Sequence, residues 1–160
     1  MTIQLLGKIR TSEQLSQIIR KKKALGEVVV STNGCFDLLH EGHLYLIRES
    51  KKRCDFLIIG LNSDESVKIL KGQNRPIESQ KQRAMNLSKL EEVDAITIFN
   101  TETPENIIKD LNPDILIKGG DYNKADIVGS KFVIENGGSV EVIDLLPGFS
   151  TTKIINERMR

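Results

Sequence analysis

Tryptophan is absent from the 160-residue chain and aromatic residues make up only 4% of it, too few rings for a platform that stacks single-stranded bases. Neither sign of charge predominates. Lys and Arg number 23 against 22 Asp and Glu, and a net charge of +1 gives no field to draw the chain onto nucleic acid or anionic lipid. Long apolar runs are missing as well: none approaches the ~18 residues of a membrane span. The opening stretch, MTIQLLGKIRTSEQ, lacks the apolar core and cleavage site of a signal peptide. Cys35 and Cys54 have neither metal-ligand spacing nor the density of a disulfide scaffold. The expectation is a soluble, reduced, cytoplasmic protein with neither nucleic acid nor membrane as a partner.

What is present is an alternation of strand and helix signals. Buried-strand runs occur at 27–32, 55–61, 95–99, 114–118 and 139–143, and runs apolar on both faces suit parallel strands covered by helices. Between them lie helical patterns. Leu15, Ile18 and Ile19 follow a Thr11/Ser12 start and end at the basic run 20–23. Leu44 and Ile47 follow Gly42, residues 79–90 form a third pattern, and Thr103-Pro104-Glu105 reads as cap, first-turn proline and first-turn acid. Ser150 is expected to open a last helix through Met159. Hydrophobic residues at 39% supply one core. The fold expected is α/β: a single doubly wound parallel sheet with helices on both faces, Rossmann-like, over 27–160, preceded by a short helical extension at 1–26.

Ligands in such a sheet bind outside the carboxyl ends of the strands. After the first strand comes Asn33-Gly34-Cys35-Phe36-Asp37-Leu38-Leu39-His40-Glu41-Gly42-His43, which runs straight into a helix and holds both histidines of the chain. Gly42 permits close backbone approach, the free N–H groups of a helix start bind anions, and imidazoles donate to phosphate oxygens. A histidine elsewhere is ordinarily a satisfied core or surface residue. Two of two at one strand-to-helix junction point to phosphate.

Gly34-Cys35-Phe36-Asp37 with His40-Glu41-Gly42-His43 resembles the GxFDxxHxGH stretch of the cytidylyltransferase-like nucleotidyltransferases, and Gly148-Phe149-Ser150-Thr151-Thr152-Lys153-Ile154 resembles that family's second motif. Leu70-Lys71-Gly72-Gln73-Asn74-Arg75-Pro76, Lys118-Gly119-Gly120-Asp121-Tyr122 and Asn136-Gly137-Gly138 are similar to the bacterial heptose 1-phosphate adenylyltransferases, in their form without a fused sugar kinase. Where the glycerol-phosphate and choline-phosphate branch carries Arg-Thr-Glu before its second motif, this chain has Leu145, Leu146 and Pro147, which speaks against cytidylyl transfer to those alcohol phosphates.

The resemblance implies catalytic roles for His40, His43 and Lys71. It implies nucleotide contacts from Gly34, Cys35, Phe36, Asp37, Gly42, Lys118, Gly119, Asp121, Ser150, Thr151 and Thr152, and substrate contacts from Asn62, Arg75 and Arg83. Each has a plainer reading beside it. Lys71 and Arg75 are otherwise solvated loop cations, and Arg83, on a helix with Gln80, is otherwise half of a surface ion pair. Lys118 through Tyr122 is otherwise a turn capped by Asp121. Asp37 orients the loop or His40, or helps to hold magnesium. Asn62 caps the next helix or touches substrate. Cys35 and Cys54 read as packing residues.

The activity implied is transfer of AMP from ATP, with Mg²⁺ carried on the nucleotide and no protein metal site, to a sugar 1-phosphate by a homodimeric enzyme. Chemistry of this type needs positioning and charge neutralisation more than a covalent nucleophile. Three rival readings stand beside it: a CTP-dependent transferase for an alcohol phosphate, a truncated class I aminoacyl-tRNA synthetase core, and a non-catalytic nucleotide-binding domain. The net charge and the Ser-Thr-Thr ending disfavour the second; both histidines together with Lys71 disfavour the third.

Overall fold

The computed structural model describes residues 7–120, 122–144 and 151–158. In chain order the elements are α1 (Ser12–Ala24), β1 (Val29–Gly34), α2 (Glu41–Lys51), β2 (Phe56–Asn62), α3 (Asp64–Lys71), α4 (Gln80–Ser88), β3 (Ala95–Phe99), α5 (Glu105–Leu111), β4 (Ile115–Gly119), α6 (Ser130–Glu135), β5 (Ser139–Ile143) and α7 (Thr151–Arg158). The strands form a parallel sheet in the order β3-β2-β1-β4-β5, so the chain reverses its direction of travel between β1 and β4. That is the crevice in which a doubly wound sheet places ligands.

Strand alternation distributes the apolar residues to two faces. Val30, Leu57, Ile59, Ile96 and Ile117 pack with Leu46 and Ile47 of α2 and Ala84 and Leu87 of α4. On the other face Val29, Ile58 and Ala95 meet Leu15 and Ile19 of α1 and Leu111 of α5, while Leu116 and Val140 meet Ile108 and Val133. The expected helices on both faces are therefore present.

The stretch expected as an N-terminal extension is built into this core. Leu15 and Ile19 are fully buried, and Ile9 bridges to Ile96 beside β3. Removing Leu15's side chain would cost about 2–5 kcal/mol, as for other buried leucines. Helix α1 starts where its residues dictate: the Thr11 hydroxyl accepts from Gln14 N–H and the Gln14 side chain accepts from Thr11 N–H. At the amino ends of the strands, carboxylates do structural work. Asp94 accepts from Leu57 N–H and Lys51, and Asp114 from Val29 N–H, leaving the carboxyl ends for chemistry.

Three sequence expectations change. Lys71 closes helix α3 instead of lying in a loop, because a hydroxyl cap at Ser63 and two first-turn acids start a helix that the sequence reading passed over. Thr103 does not cap α5, whose N-cap is Pro104 with no side-chain hydrogen bond. Asn62 does not cap α3; Ser63 does. Ser150, expected to open the last helix, lies outside the described residues, and α7 begins at Thr151.

Candidate active site

The loop from β1 to α2 is held in a costly conformation. Phe36 and Leu38 sit at φ 47° and 53°, a region that costs a side-chain-bearing residue on the order of 1–3 kcal/mol. Packing sustains it. Phe36 is buried with its ring over Gly34, where an added Cβ would come within 3.0 Å of the ring, and its centroid lies 5.4 Å from that of His43.

His40 and His43 then cap α2 reciprocally. Nδ1 of His40 accepts from Gly42 N–H at 3.0 Å, and His40 N–H donates to Nδ1 of His43 at 3.3 Å. The rings stack at 3.8 Å between centroids. An imidazole whose Nδ1 accepts carries its proton on Nε2, so both rings are fixed as Nε2–H donors. Burial, assisted by neighbouring His40, pushes the His43 pKa from 6.5 down to about 3, and burial lowers that of His40. Both are neutral donors at pH 7.

Asp37 is buried and takes up the question its spacing left open. Its carboxylate accepts from Ile77 N–H at 2.8 Å, Glu78 N–H at 3.0 Å and Arg75 Nε at 3.2 Å, so it anchors the loop 75–78. The Glu78 side chain returns the contact by accepting from Leu38 N–H.

These pieces wall a cleft of about 480 Å³ at the carboxyl end of β1, β2 and β4. Lys71, Arg75 and Lys118 bring cations to it, beside His40, His43 and the N-terminus of α2, where the helix dipole and free N–H groups favour an anion. Lys118 lies 5.5 Å from the Tyr122 ring centroid, and burial lowers its pKa. The arrangement suits a polyphosphate lying from the histidines toward the lysines.

The family model described as cytidylyltransferase-like matches residues 31–157, the span that contains every element of this cleft. The chain belongs to the cytidylyltransferase-like family of nucleotidyltransferases. Among its relatives, the bifunctional protein HldE of Syntrophotalea carbinolica is 46% identical over 149 residues, 93% of this chain and 30% of that protein. HldE of Campylobacter fetus subsp. fetus is 50% identical over 143 residues, 89% of this chain and 30% of that one. The chain thus spans 30% of the length of these curated relatives. The crystal structure of a lipopolysaccharide core biosynthesis protein from Thermoplasma volcanium GSS1 superposes with a TM-score of 0.62 at 28% identity, covering 76% of this chain and 98% of that one. A pantoate-beta-alanine ligase from Francisella tularensis, at 14% identity and TM-score 0.61 over 94% of this chain and 76% of its own, shares the fold.

For a cytidylyltransferase-like cleft, the sequence reading and the structure bring together Gly34, Cys35, Phe36, Asp37, His40, Gly42, His43, Asn62, Lys71, Arg75, Lys118 and Gly119. Asp121 and Ser150 lie outside the described residues. Thr151 and Thr152 contribute the first turn of α7.

Arg83 is the departure: it does not line the cleft, and it is no surface ion pair either. Its side chain is fully buried, donating to the carbonyls of Glu78 (3.0 Å), Cys35 (2.8 Å) and Asn62 (2.7 Å) and to Asp64 (2.9 Å). It ties the ends of β1 and β2 to the loop that carries Arg75, which makes it a positioning residue. The reading also passed over Asn33, Leu46 and Leu70 in the cleft wall. Asn33 had a usable signal, since it follows the first predicted strand, and Leu70 opens the 70–76 motif; Leu46 carries no mark in the sequence.

Proposed function

We propose that this chain transfers AMP from ATP to D-glycero-β-D-manno-heptose 1-phosphate, releasing pyrophosphate and forming ADP-heptose. The observation that carries the reading is the pair of Nε2–H donors, fixed by backbone hydrogen bonds, in one cleft with Lys71, Arg75 and Lys118. Likeness to HldE at close to half identity supports it, and the acceptor rests on the resemblance of residues 70–76 and 118–122 to heptose 1-phosphate adenylyltransferases.

An oxygen of the sugar phosphate attacks the α-phosphorus of ATP in line; the new P–O bond forms as the bond to the pyrophosphate oxygen breaks. A phosphate monoester is already anionic near pH 7, with a second pKa of about 6, so no side chain has to remove a proton. This agrees with two imidazoles that present donors instead of bases. His40 and His43 donate to the α- and β-phosphate oxygens most strongly as charge builds there, and Lys71 with the start of α2 completes the positive field.

Magnesium neutralises part of the triphosphate charge. Carried on the nucleotide, it would supply charge neutralisation beside Lys71 and the start of α2, while Asp37, whose two oxygens accept from Arg75, Ile77 and Glu78, holds the 75–78 loop. The homodimer, the cytoplasmic setting and the unit boundary at 27–160 are part of the same proposal. They rest on the family resemblance, and on the family match over 31–157 for the boundary. No helix among the described residues is long and apolar enough to cross a membrane.

Pyrophosphate release, followed with each nucleoside triphosphate and a panel of sugar and alcohol phosphates, tests the reading. The expected product needs both ATP and the heptose phosphate. Release only with CTP and glycerol 3-phosphate would move the chain to another branch, and none with any sugar phosphate would overturn the proposal.

A further inference from the structure

Beside the phosphate cleft lies a second, smaller hollow of about 210 Å³, outside the ends of β1, β2 and β3. The two share Asn33, Gly34, Asn62, Leu70 and Lys118 along their seam. Beyond the seam the smaller hollow is walled by Phe99, Glu102, Thr103, Pro104 and Val128.

Its chemistry differs from that of the larger cleft. Among the described residues its one cation is Lys118, at the seam; the far wall offers a carboxylate, a hydroxyl and an apolar floor. A phosphate therefore belongs at the seam, and whatever extends past it should be uncharged and rich in hydroxyls. Asn62 makes the case sharper. The residue is 4% exposed, its carbonyl is taken by Arg83, and its side-chain amide has no hydrogen-bond partner among the described residues. That amide reaches the surface of both hollows, where solvent or a ligand meets it. Asn33 is next to it, with Oδ1 buried and unpartnered among the described residues. That amide rests over Gly60, where an added Cβ would come within 2.7 Å of Oδ1. Two asparagines that line both hollows at their junction mark a polar ligand that crosses it.

We propose that the smaller hollow is the sugar pocket of the acceptor. Its phosphate lies at Lys118 facing the α-phosphorus, its ring hydroxyls meet Asn62 and Asn33, Glu102 and Thr103 accept from and donate to the far hydroxyls, and its C–H face rests on Phe99 and Pro104. This deepens the transferase reading and rests on it. It assigns sugar selectivity to Glu102 and Thr103, which line only this hollow.

The test uses Glu102→Ala, Thr103→Val and the space-filling Thr103→Trp, all at exposed positions where the fold tolerates change. Affinity for a non-hydrolysable ATP analogue is measured by titration, beside KM for heptose 1-phosphate and kcat. Glu102→Ala is expected to raise the sugar KM about 10-fold or more and Thr103→Val about 3- to 10-fold, the worth of one charged and one neutral hydrogen bond. Thr103→Trp should raise it further, and all three should bind the ATP analogue like the parent chain. A parent chain active on the sugar phosphate with variants unchanged in sugar KM would overturn this pocket while leaving the transferase reading intact. Variants weakened equally toward the ATP analogue would also overturn it, by making the hollow part of the nucleotide site. A parent chain inactive on every sugar phosphate would overturn both.

Discussion

His40 and His43 hold one another: the backbone N–H of the first donates to Nδ1 of the second, and the rings lie 3.8 Å apart. One residue pair thus closes the start of α2 and arms the cleft. The two roles can be separated by substitution, because Asn places its oxygen near where Nδ1 was and Gln places its amide near where Nε2 was.

For His43→Ala we expect kcat to fall about 10²-fold or more, as on losing one preorganised donor to a developing anion, with a smaller change in nucleotide affinity. His43→Gln should retain more kcat than His43→Asn, and His43→Asn more stability, since it keeps the cap worth about 1 kcal/mol. Steady-state kinetics and urea melts on the three variants check this. A folded His43→Ala with undiminished kcat would remove the residue from the mechanism.

The depressed pKa of His43 gives stability a definite pH dependence. The unfolded chain protonates this ring near 6.5 and the folded chain only near 3, so between those values the unfolded state binds the extra proton. Stability from this group is complete above about pH 6.5 and is lost as pH falls through that window, by about 2 kcal/mol between pH 6.5 and 5. Urea unfolding of the parent chain and His43→Gln at both pH values should show the smaller loss in the variant. The kcat profile, conversely, should lack an inflection from His43 near pH 6.5, because that ring does not titrate there in the folded state.

Much of the fold could be read from the chain because strand and helix signals alternate cleanly, and α1 and α4 begin at hydroxyl caps that the sequence shows openly. The phosphate loop was legible because both histidines fall in it. What escaped was set by partners distant in sequence. Arg83 looks like any helical arginine, and only the fold reveals three carbonyls, from residues 35, 62 and 78, converging on it. Asp37 had three readings until the loop 75–78 folded against it. Helix α3 was missed because its eight residues carry an apolar face too short to stand out between a strand and a glycine turn.

Arg83→Leu should therefore be far more damaging than loss of a surface ion pair. Each carbonyl left unpaired in the interior costs about 1–3 kcal/mol, against at most about 1 kcal/mol for an exposed pair. We expect a loss of about 3 kcal/mol or more, or a melting temperature lower by about 6–12 °C. Thermal unfolding with and without saturating ATP would check it; a shift of about 2 °C or less would return Arg83 to the surface-pair reading.

The cysteines should behave as packing residues. Burial raises the pKa of both thiols, that of Cys54 to about 11, so little thiolate is present at neutral pH. Alkylation by iodoacetamide at pH 7.5 should be much slower than for a free thiol and should speed up in urea. Rapid modification of the folded chain at Cys35 would show that the cationic neighbours Lys71, Arg83 and Arg75 outweigh burial there.

The choice of nucleotide is where membership of a cytidylyltransferase-like family and the proposed adenylyl transfer pull apart. The base is expected beyond β4, at the loop from Lys118 to Tyr122, where Gly120 takes φ 119° and its N–H donates to the Ile143 carbonyl, a turn that would strain any other residue. Adenine and cytosine present different donor and acceptor edges, and a backbone turn that satisfies one leaves groups unpaired against the other. Each mismatch costs about 1–3 kcal/mol, so even one gives a preference of about 5- to 150-fold. We expect ATP to be the better substrate with heptose 1-phosphate by at least that lower figure, and CTP with glycerol 3-phosphate to react slowly if at all. Rates with ATP and CTP on the same heptose phosphate decide the matter: equal rates would place nucleotide selection outside this turn, and faster reaction with CTP would reverse the assignment to the adenylyl branch.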